Sequence, residues 1–393
     1  MKRKKILVYY RYFGMTLGGG EYLPLTLIAE LQKTCDVTLA LDRTGNLERA
    51  VSLMGVAVDL SRLEVVKVMP PGYRKTSCTM FEAFLRSRKL KRLAKKADVC
   101  ISLANIMDFG KPARHVLITI DVGDSAFDDF VAGRKASLAR RIARFAKDRL
   151  LRPLLGMRSR RDVFADPRER IYPNSQYVKS LLESFYGKFN GRVFLPPTLF
   201  DGSACGVARD PLAVLFIGRI AQSKRIEEMM RIVEEARELT GKDLKLRLAG
   251  KMDDNPYSAR LRALAATRPW ISFEGVLYGD AKTRFLFSGA YALHVPPTEA
   301  FGISVTEYLK AGLVPVVADR GGAKEIVANP ELEFSDPGEA ARILAKLVSD
   351  AGFRREQKRR CAERAKAFTK EAYMAHQREI VAEMLDERPR PAR

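Results

Sequence analysis

The segment YALHVPPTEAFGISVTEYLK, residues 291–310, decides how the whole chain reads. YALHV is an apolar, β-rich run of strand length. Pro296-Pro297-Thr298 ends it, and helical spacing begins near Ile303. A strand handed through a glycine-containing loop to a helix is half of a βαβ unit, and ligands of open α/β sheets collect at strand ends of this kind. The first helical turn offers unpaired N–H groups and the positive end of its dipole, a seat for a diphosphate, and Gly302 lets the backbone come close. Glu307, one turn in, leans back over the helix start and can reach a ribose diol, whereas Glu299 on the loop suits sugar hydroxyls. Ser304-Val305-Thr306-Glu307 is equally a capping box, in which Glu307 only stabilises the helix start.

The same rhythm runs outward from this segment. KKILVYY (4–10), DVTLALD (36–42), DVCISLA (98–104) and HVLITID (115–121) are strand patterns, with a helical stretch at 22–31 after a glycine cluster. IYPNSQYVKSLLESFYG (171–187) adds another strand, turn and helix. The series restarts at LAVLFIGRI (212–220), with a helix through 227–239 and strands at 244–249, 271–275 and 314–318. Alternating β and α implies parallel sheets. The fold expected is α/β: two Rossmann-like lobes facing a central cleft, at 1–205 and 206–370, then a helix and fraying tail at 371–393. A length of 393 residues suits two domains of about 150 to 200 each.

Composition narrows the class. With 47% hydrophobic and 30% charged residues the chain is an ordinary globular protein. Its apolar runs fall short of the roughly 18 to 20 residues that span a bilayer. The basic, apolar N-terminus has no small-residue cleavage site, so no secretion signal is expected. Cys35, Cys78, Cys100, Cys205 and Cys361 lie far apart and form no CxxC pair, so neither a disulfide framework nor a zinc site is suggested, and a reducing cytoplasm fits best. The 69 Lys plus Arg against 47 Asp plus Glu give +22, which favours polyanionic partners. Much of the excess lies in 74–96 and 134–161, where Leu138, Ile142 and Phe145 recur at helical spacing until Pro153 and Gly156 should break the helix. Such helices suit an anionic leaflet, or else an ordinary solvated face whose apolar side packs on the sheet.

In LFIGRIAQSKRIEE a strand ends at Gly218, and Arg219 and Lys224 follow before a helix. Both cations can converge on a diphosphate and stabilise it as a leaving group, or they are two of many surface cations. At this point the sequence resembles the retaining family 4 glycosyltransferases of the GT-B fold, over about nine-tenths of its length. GGGEYLPLTLIAEL from Gly18, PNSQYVKSLLESFYG, FIGRIAQSK, FEGVLYGD, EAFGISVTE and GGAKEIV from Gly321 follow the family order. The resemblance implies that Arg219 and Lys224 hold the donor diphosphate and Gly218 belongs to the same loop. It further implies that Glu307 holds the ribose, Glu299 positions the donor sugar, and the backbone at Phe301, Gly302 and Ile303 meets the phosphates. The turn at Gly19 and Gly20 would lie against donor or acceptor, or is simply a tight β-to-α turn.

The family also implies hexosyl transfer with retention by same-face attack, the leaving phosphate taking the acceptor's proton. The donor would be a UDP- or GDP-sugar and the acceptor a glycan or lipid-linked species at the inner face of the membrane. No other cofactor and no metal are expected, since no strict Asp-x-Asp occurs and Asp253-Asp254 reads as a solvated loop. Many members carry a histidine where this chain has Asp121, which leaves Asp121 and Asp124 as acceptor-side candidates. His115 and His294 read as satisfied core histidines within apolar strands. Two rivals remain: a nucleotide-sugar epimerase of similar architecture, and a basic nucleic-acid-binding protein, although no nucleic-acid module is present and one Trp leaves little for stacking.

Overall fold

The computed structural model describes residues 3–13, 19–43, 45–70, 79–103, 106–116, 122, 124–198, 200 and 206–386. It divides into two units, one made of Met1–Pro197 with Met374–Arg393 and the other of Thr198–Tyr373.

The first unit is built on β1 (Lys4–Tyr10), β2 (Cys35–Leu41), β3 (Leu63–Lys67), β4 (Val99–Leu103), β5 (Arg114–Val116) and β6 (Arg170–Tyr172). Their order is β3-β2-β1-β4-β5-β6, all parallel. β1 and β4 are near-continuous apolar runs because helices cover both faces of a parallel sheet. β3 went unread in the sequence because LEVVK is an edge strand with largely solvated side chains. From the end of the chain, helix Lys370–Leu385 contributes its residues from Met374 onward to this unit. Gln377 Nε2 donates to Thr26 Oγ1 at 3.0 Å, Arg192 pairs with Glu383 at 2.8 Å, and Arg114 Nε donates to the Met384 carbonyl at 3.1 Å.

The second unit repeats the plan with β7 (Asp210–Ile217), β8 (Lys245–Ala249), β9 (Ile271–Gly275), β10 (Gly289–His294), β11 (Val314–Ala318) and β12 (Glu333–Phe334). The order β12-β11-β10-β7-β8-β9 is the first unit's order in the same sequence relation, again parallel throughout. In each unit the strand order reverses between the first and fourth strands, and it is at that reversal that doubly wound sheets open a crevice for ligands.

The two basic helical stretches of the first unit behave differently. Helix Thr79–Ala94 buries Leu90 and Ala94 against Leu7, Tyr9, Ala40 and Cys100, the ordinary amphipathic arrangement. Helix Leu138–Ala146 is inverted. Its polar side is clamped to the protein: Arg144 reaches Asp129 at 2.5 Å, and neighbouring Arg134 reaches the same carboxylate at 3.0 Å. Its apolar side faces out, with Leu138, Ile142 and Phe145 exposed by 69%, 60% and 65%. The packing of this apolar side on the sheet, one of the two readings of the sequence, is therefore not realised. Pro153 does not break the run either. A wide turn over Lys147–Leu151, in which the Arg152 N–H reaches back to the Lys147 carbonyl, precedes the turn Arg152–Leu154, and the stretch ends at Gly156.

Candidate active site

β7 and β10 are neighbours at the reversal of the second sheet, and the residues singled out in the sequence lie beyond their C-terminal ends. After β7 the chain passes Gly218 and Arg219 and makes a short 3-10 turn, Gln222–Lys224. Arg225 is then held in the left-handed region at φ 55° before helix Ile226–Thr240 begins. A non-glycine residue in that region costs of order 1 kcal/mol or more and persists only where the surroundings fix it. Here it turns the chain just after Lys224. The Arg219 side chain is exposed.

After β10 come Val295, the two prolines, Thr298 and Glu299, then Gly302 at φ 101° as the N-cap of helix Ile303–Lys310. Gly302 fits that conformation because it has no Cβ. No side chain caps this helix, so the capping box of Ser304 and Glu307 is not formed; the Val305 N–H turns back to the Gly302 carbonyl at 2.8 Å, and the Ile303 and Ser304 N–H groups are left for other partners. Two contacts fix the helix start. The Ile217 N–H donates to Tyr308 Oη at 2.8 Å, tying the helix to the end of β7, and Thr306 Oγ1 lies 2.9 Å from Thr198 Oγ1. The Glu299 loop is fixed by the following helix, Gly322–Val327: the Gly322 N–H donates to the Glu299 carbonyl at 2.8 Å, and a Cβ at position 322 would lie 2.4 Å from the Ala300 carbonyl oxygen. GGAKEIV therefore shapes the site through its glycine backbone.

Each carboxylate has a lysine. Glu307, 4% exposed, pairs with Lys282 Nζ at 2.6 Å; Lys282 stands on helix Gly279–Ser288 and was not singled out in the sequence. Glu299 pairs with Lys224 and has His294 Nε2 at 3.5 Å from the same oxygen. Burial by itself would push the Glu299 carboxyl up, but His294 and Lys224 outweigh it and hold the group at about 2. His294 is not the satisfied core histidine expected from its apolar strand, since neither ring nitrogen has a hydrogen-bond partner. Asp253 and Asp254 are exposed and each meets its own cation, Lys251 at 2.8 Å and Arg262 at 3.5 Å.

The first unit's candidates are placed otherwise. Gly19 and Gly20 open helix Gly19–Gln32, residues 14–18 before it lie outside the described residues, and so does Asp121. Asp124 is taken up by the fold: it caps helix Ser125–Val131 through the Ala126 N–H at 2.9 Å and accepts the Tyr186 hydroxyl at 2.8 Å. His115, by contrast with His294, meets buried Glu169 at 3.0 Å through Nε2.

Two parallel sheets of this order are two Rossmann-like α/β domains, the plan found in structures of the GT-B fold. Residues 205–368 match the family model described as Glycosyl transferases group 1. An uncharacterized glycosyltransferase of Methanocaldococcus jannaschii is 30% identical over 154 residues, which span 38% of this chain and 39% of that relative. Among solved structures, WaaG, a glycosyltransferase involved in lipopolysaccharide biosynthesis, aligns with a TM-score of 0.67 at 14% identity, covering 97% of this chain and 99% of its own. HepE of Anabaena in complex with UDP and glucose aligns at 0.65 and 15%, covering 98% and 99%. At such identities these two likenesses concern the fold.

Proposed function

We propose that this chain is a retaining hexosyltransferase. It would take a hexose from a UDP- or GDP-linked donor bound by the second unit and deliver it to a lipid-linked or envelope-glycan acceptor at the cytoplasmic face of a membrane. The observation that carries the reading is the uncapped helix start at Gly302 with a lysine-paired carboxylate at either end, Glu299 before it and Glu307 within it. Free N–H groups and the helix dipole suit the diphosphate, with Arg219 and Lys224 as its counter-ions. Glu307 would accept the ribose hydroxyls and Glu299 those of the sugar. In the reaction the acceptor oxygen bonds to the anomeric carbon as the bond to the diphosphate breaks. The departing phosphate oxygen takes the acceptor's proton, and Arg219 and Lys224 stabilise the charge that develops there. Two proteins of like fold support this donor and acceptor class: HepE in complex with UDP and glucose, and WaaG, which is involved in lipopolysaccharide biosynthesis.

The membrane part of the reading rests on the inverted helix Leu138–Ala146 and the turns after it, where Leu150 and Leu154 are exposed as well. Its apolar row is flanked by Arg140, Arg141, Lys147 and Arg149, so charge complementarity names an anionic bilayer as the occupant. No described helix is long and apolar enough to cross a membrane, so this would be attachment at the surface.

The test is a panel of UDP, GDP, ADP and their hexose conjugates, read by thermal shift and then by release of nucleoside diphosphate when lipid-linked acceptors are added. Stabilisation by one base and its sugar conjugate, with acceptor-dependent release, supports the reading. Interconversion of the sugar without an acceptor would point to an epimerase, and no stabilisation by any nucleotide would remove the donor site.

A further inference from the structure

His294 is a buried polar side chain at this site that the donor-binding reading does not use. It ends β10, where Tyr291, Ala292, Leu293 and Val295 around it are buried apolar residues, and it is 1% exposed. Its neighbour in register on β11 is Val317. Both ring nitrogens lack a hydrogen bond among the described residues, a state that costs free energy at a buried position and that an apolar residue of similar size would avoid. What the ring does face is the Glu299 carboxylate, 3.5 Å from Nε2, on the oxygen that Lys224 also holds. The two contacts differ in kind. Lys224 stands on a short 3-10 turn and is partly exposed, so it can be drawn toward an incoming phosphate. His294 is locked into a central strand and cannot follow.

We propose that His294 is the positioning residue for Glu299: it anchors the carboxylate from the sheet side, so that Glu299 stays aimed at the donor sugar when Lys224 turns to the diphosphate. This rests on the reading of Glu299 as the sugar-gripping residue.

The consequence is selective. A bare nucleoside diphosphate does not engage Glu299, whereas its hexose conjugate does, so His294 should govern the preference for conjugate over diphosphate and leave affinity for the diphosphate alone. The experiment is calorimetric titration of the full chain with UDP and UDP-glucose, or the GDP pair if the panel above selects that base. It compares wild type with Glu299→Gln, His294→Leu, His294→Asn and His294→Gln. His294→Leu suits the apolar surroundings, and His294→Asn keeps a polar group too short to reach Glu299. Both should bind the diphosphate within about twofold of wild type and lose the preference for the conjugate by about tenfold. His294→Gln, which restores a donor of similar reach, should recover most of it. Unchanged preference in the Leu and Asn variants while Glu299→Gln loses it overturns the role of His294 alone. Unchanged preference in Glu299→Gln as well overturns the sugar-gripping reading and the proposal with it. Equal losses for diphosphate and conjugate would make His294 a packing residue and also overturn the proposal.

Discussion

Asp124 and Glu307 are both acidic residues at the start of a helix, one in each unit, and each was a candidate for the site on sequence alone. Asp124 is fully occupied, with one oxygen capping its helix and the other accepting the Tyr186 hydroxyl. Glu307 caps nothing and pairs with a single lysine from a neighbouring helix, as Glu299 pairs with Lys224. A carboxylate absorbed by caps and hydroxyls serves the fold, because removing it leaves buried donors unsatisfied. One balanced by a mobile cation is kept charged yet can exchange that partner for a ligand's hydroxyls. The same contrast separates the two basic helices, one buried by its apolar face and one clamped by its polar face.

The sharpest way to break the comparison is to remove the second unit's carboxylate charge. Glu299→Gln should lower kcat/KM for transfer by about a hundredfold to a thousandfold, the size typical of losing one transition-state contact, with the fold retained. Acid titration gives the next largest effect. The Glu299 carboxyl is depressed from 4.5 to about 2, so its contribution to stability is complete above pH 4.5 and lost as the pH falls toward 2. Chemical unfolding across that window should show a loss of at most about 3 kcal/mol in the wild type that Glu299→Gln does not share.

The helix contrast is tested by replacing Leu138, Ile142 and Phe145 together with Ser. Sedimentation with vesicles containing anionic phospholipid should show binding reduced about tenfold or more, while the melting temperature moves little because these side chains are already exposed. Undiminished vesicle binding would return the helix to an ordinary solvated surface. The smallest effect is expected in the first unit: Asp124→Ala should cost about 1–2 kcal/mol of stability, as a lost cap does, with nucleotide affinity unaltered.

Much of this was legible in the sequence for a physical reason. Buried parallel strands are continuous apolar runs, so β1, β4, β7 and β10 announce themselves, and EAFGISVTE marks a helix start by its glycine and its paired glutamates. β3, whose side chains are largely solvated, and β12, only two residues long, carry too little apolar pattern and were missed. Lys282 was hidden because its pairing with Glu307 joins positions 25 residues apart, and no local pattern distinguishes it from other surface cations. His294 carried a usable signal that went unread: it is the last residue of its strand, just before the loop that carries Glu299, and strand ends of open α/β sheets are where ligands gather. The outward face of helix Leu138–Ala146 was undecidable from periodicity, which fixes that a helix has two faces and not which of them meets the protein.

Everything proposed for the second unit depends on Glu307 serving a nucleotide site rather than its own helix. Calorimetric titration of nucleoside diphosphate into wild type, Glu307→Ala and Arg219→Ala tests it most directly. Binding in the micromolar range should weaken by about tenfold to a hundredfold in each variant, with the variants still folded. Equal affinity in all three proteins would contradict it.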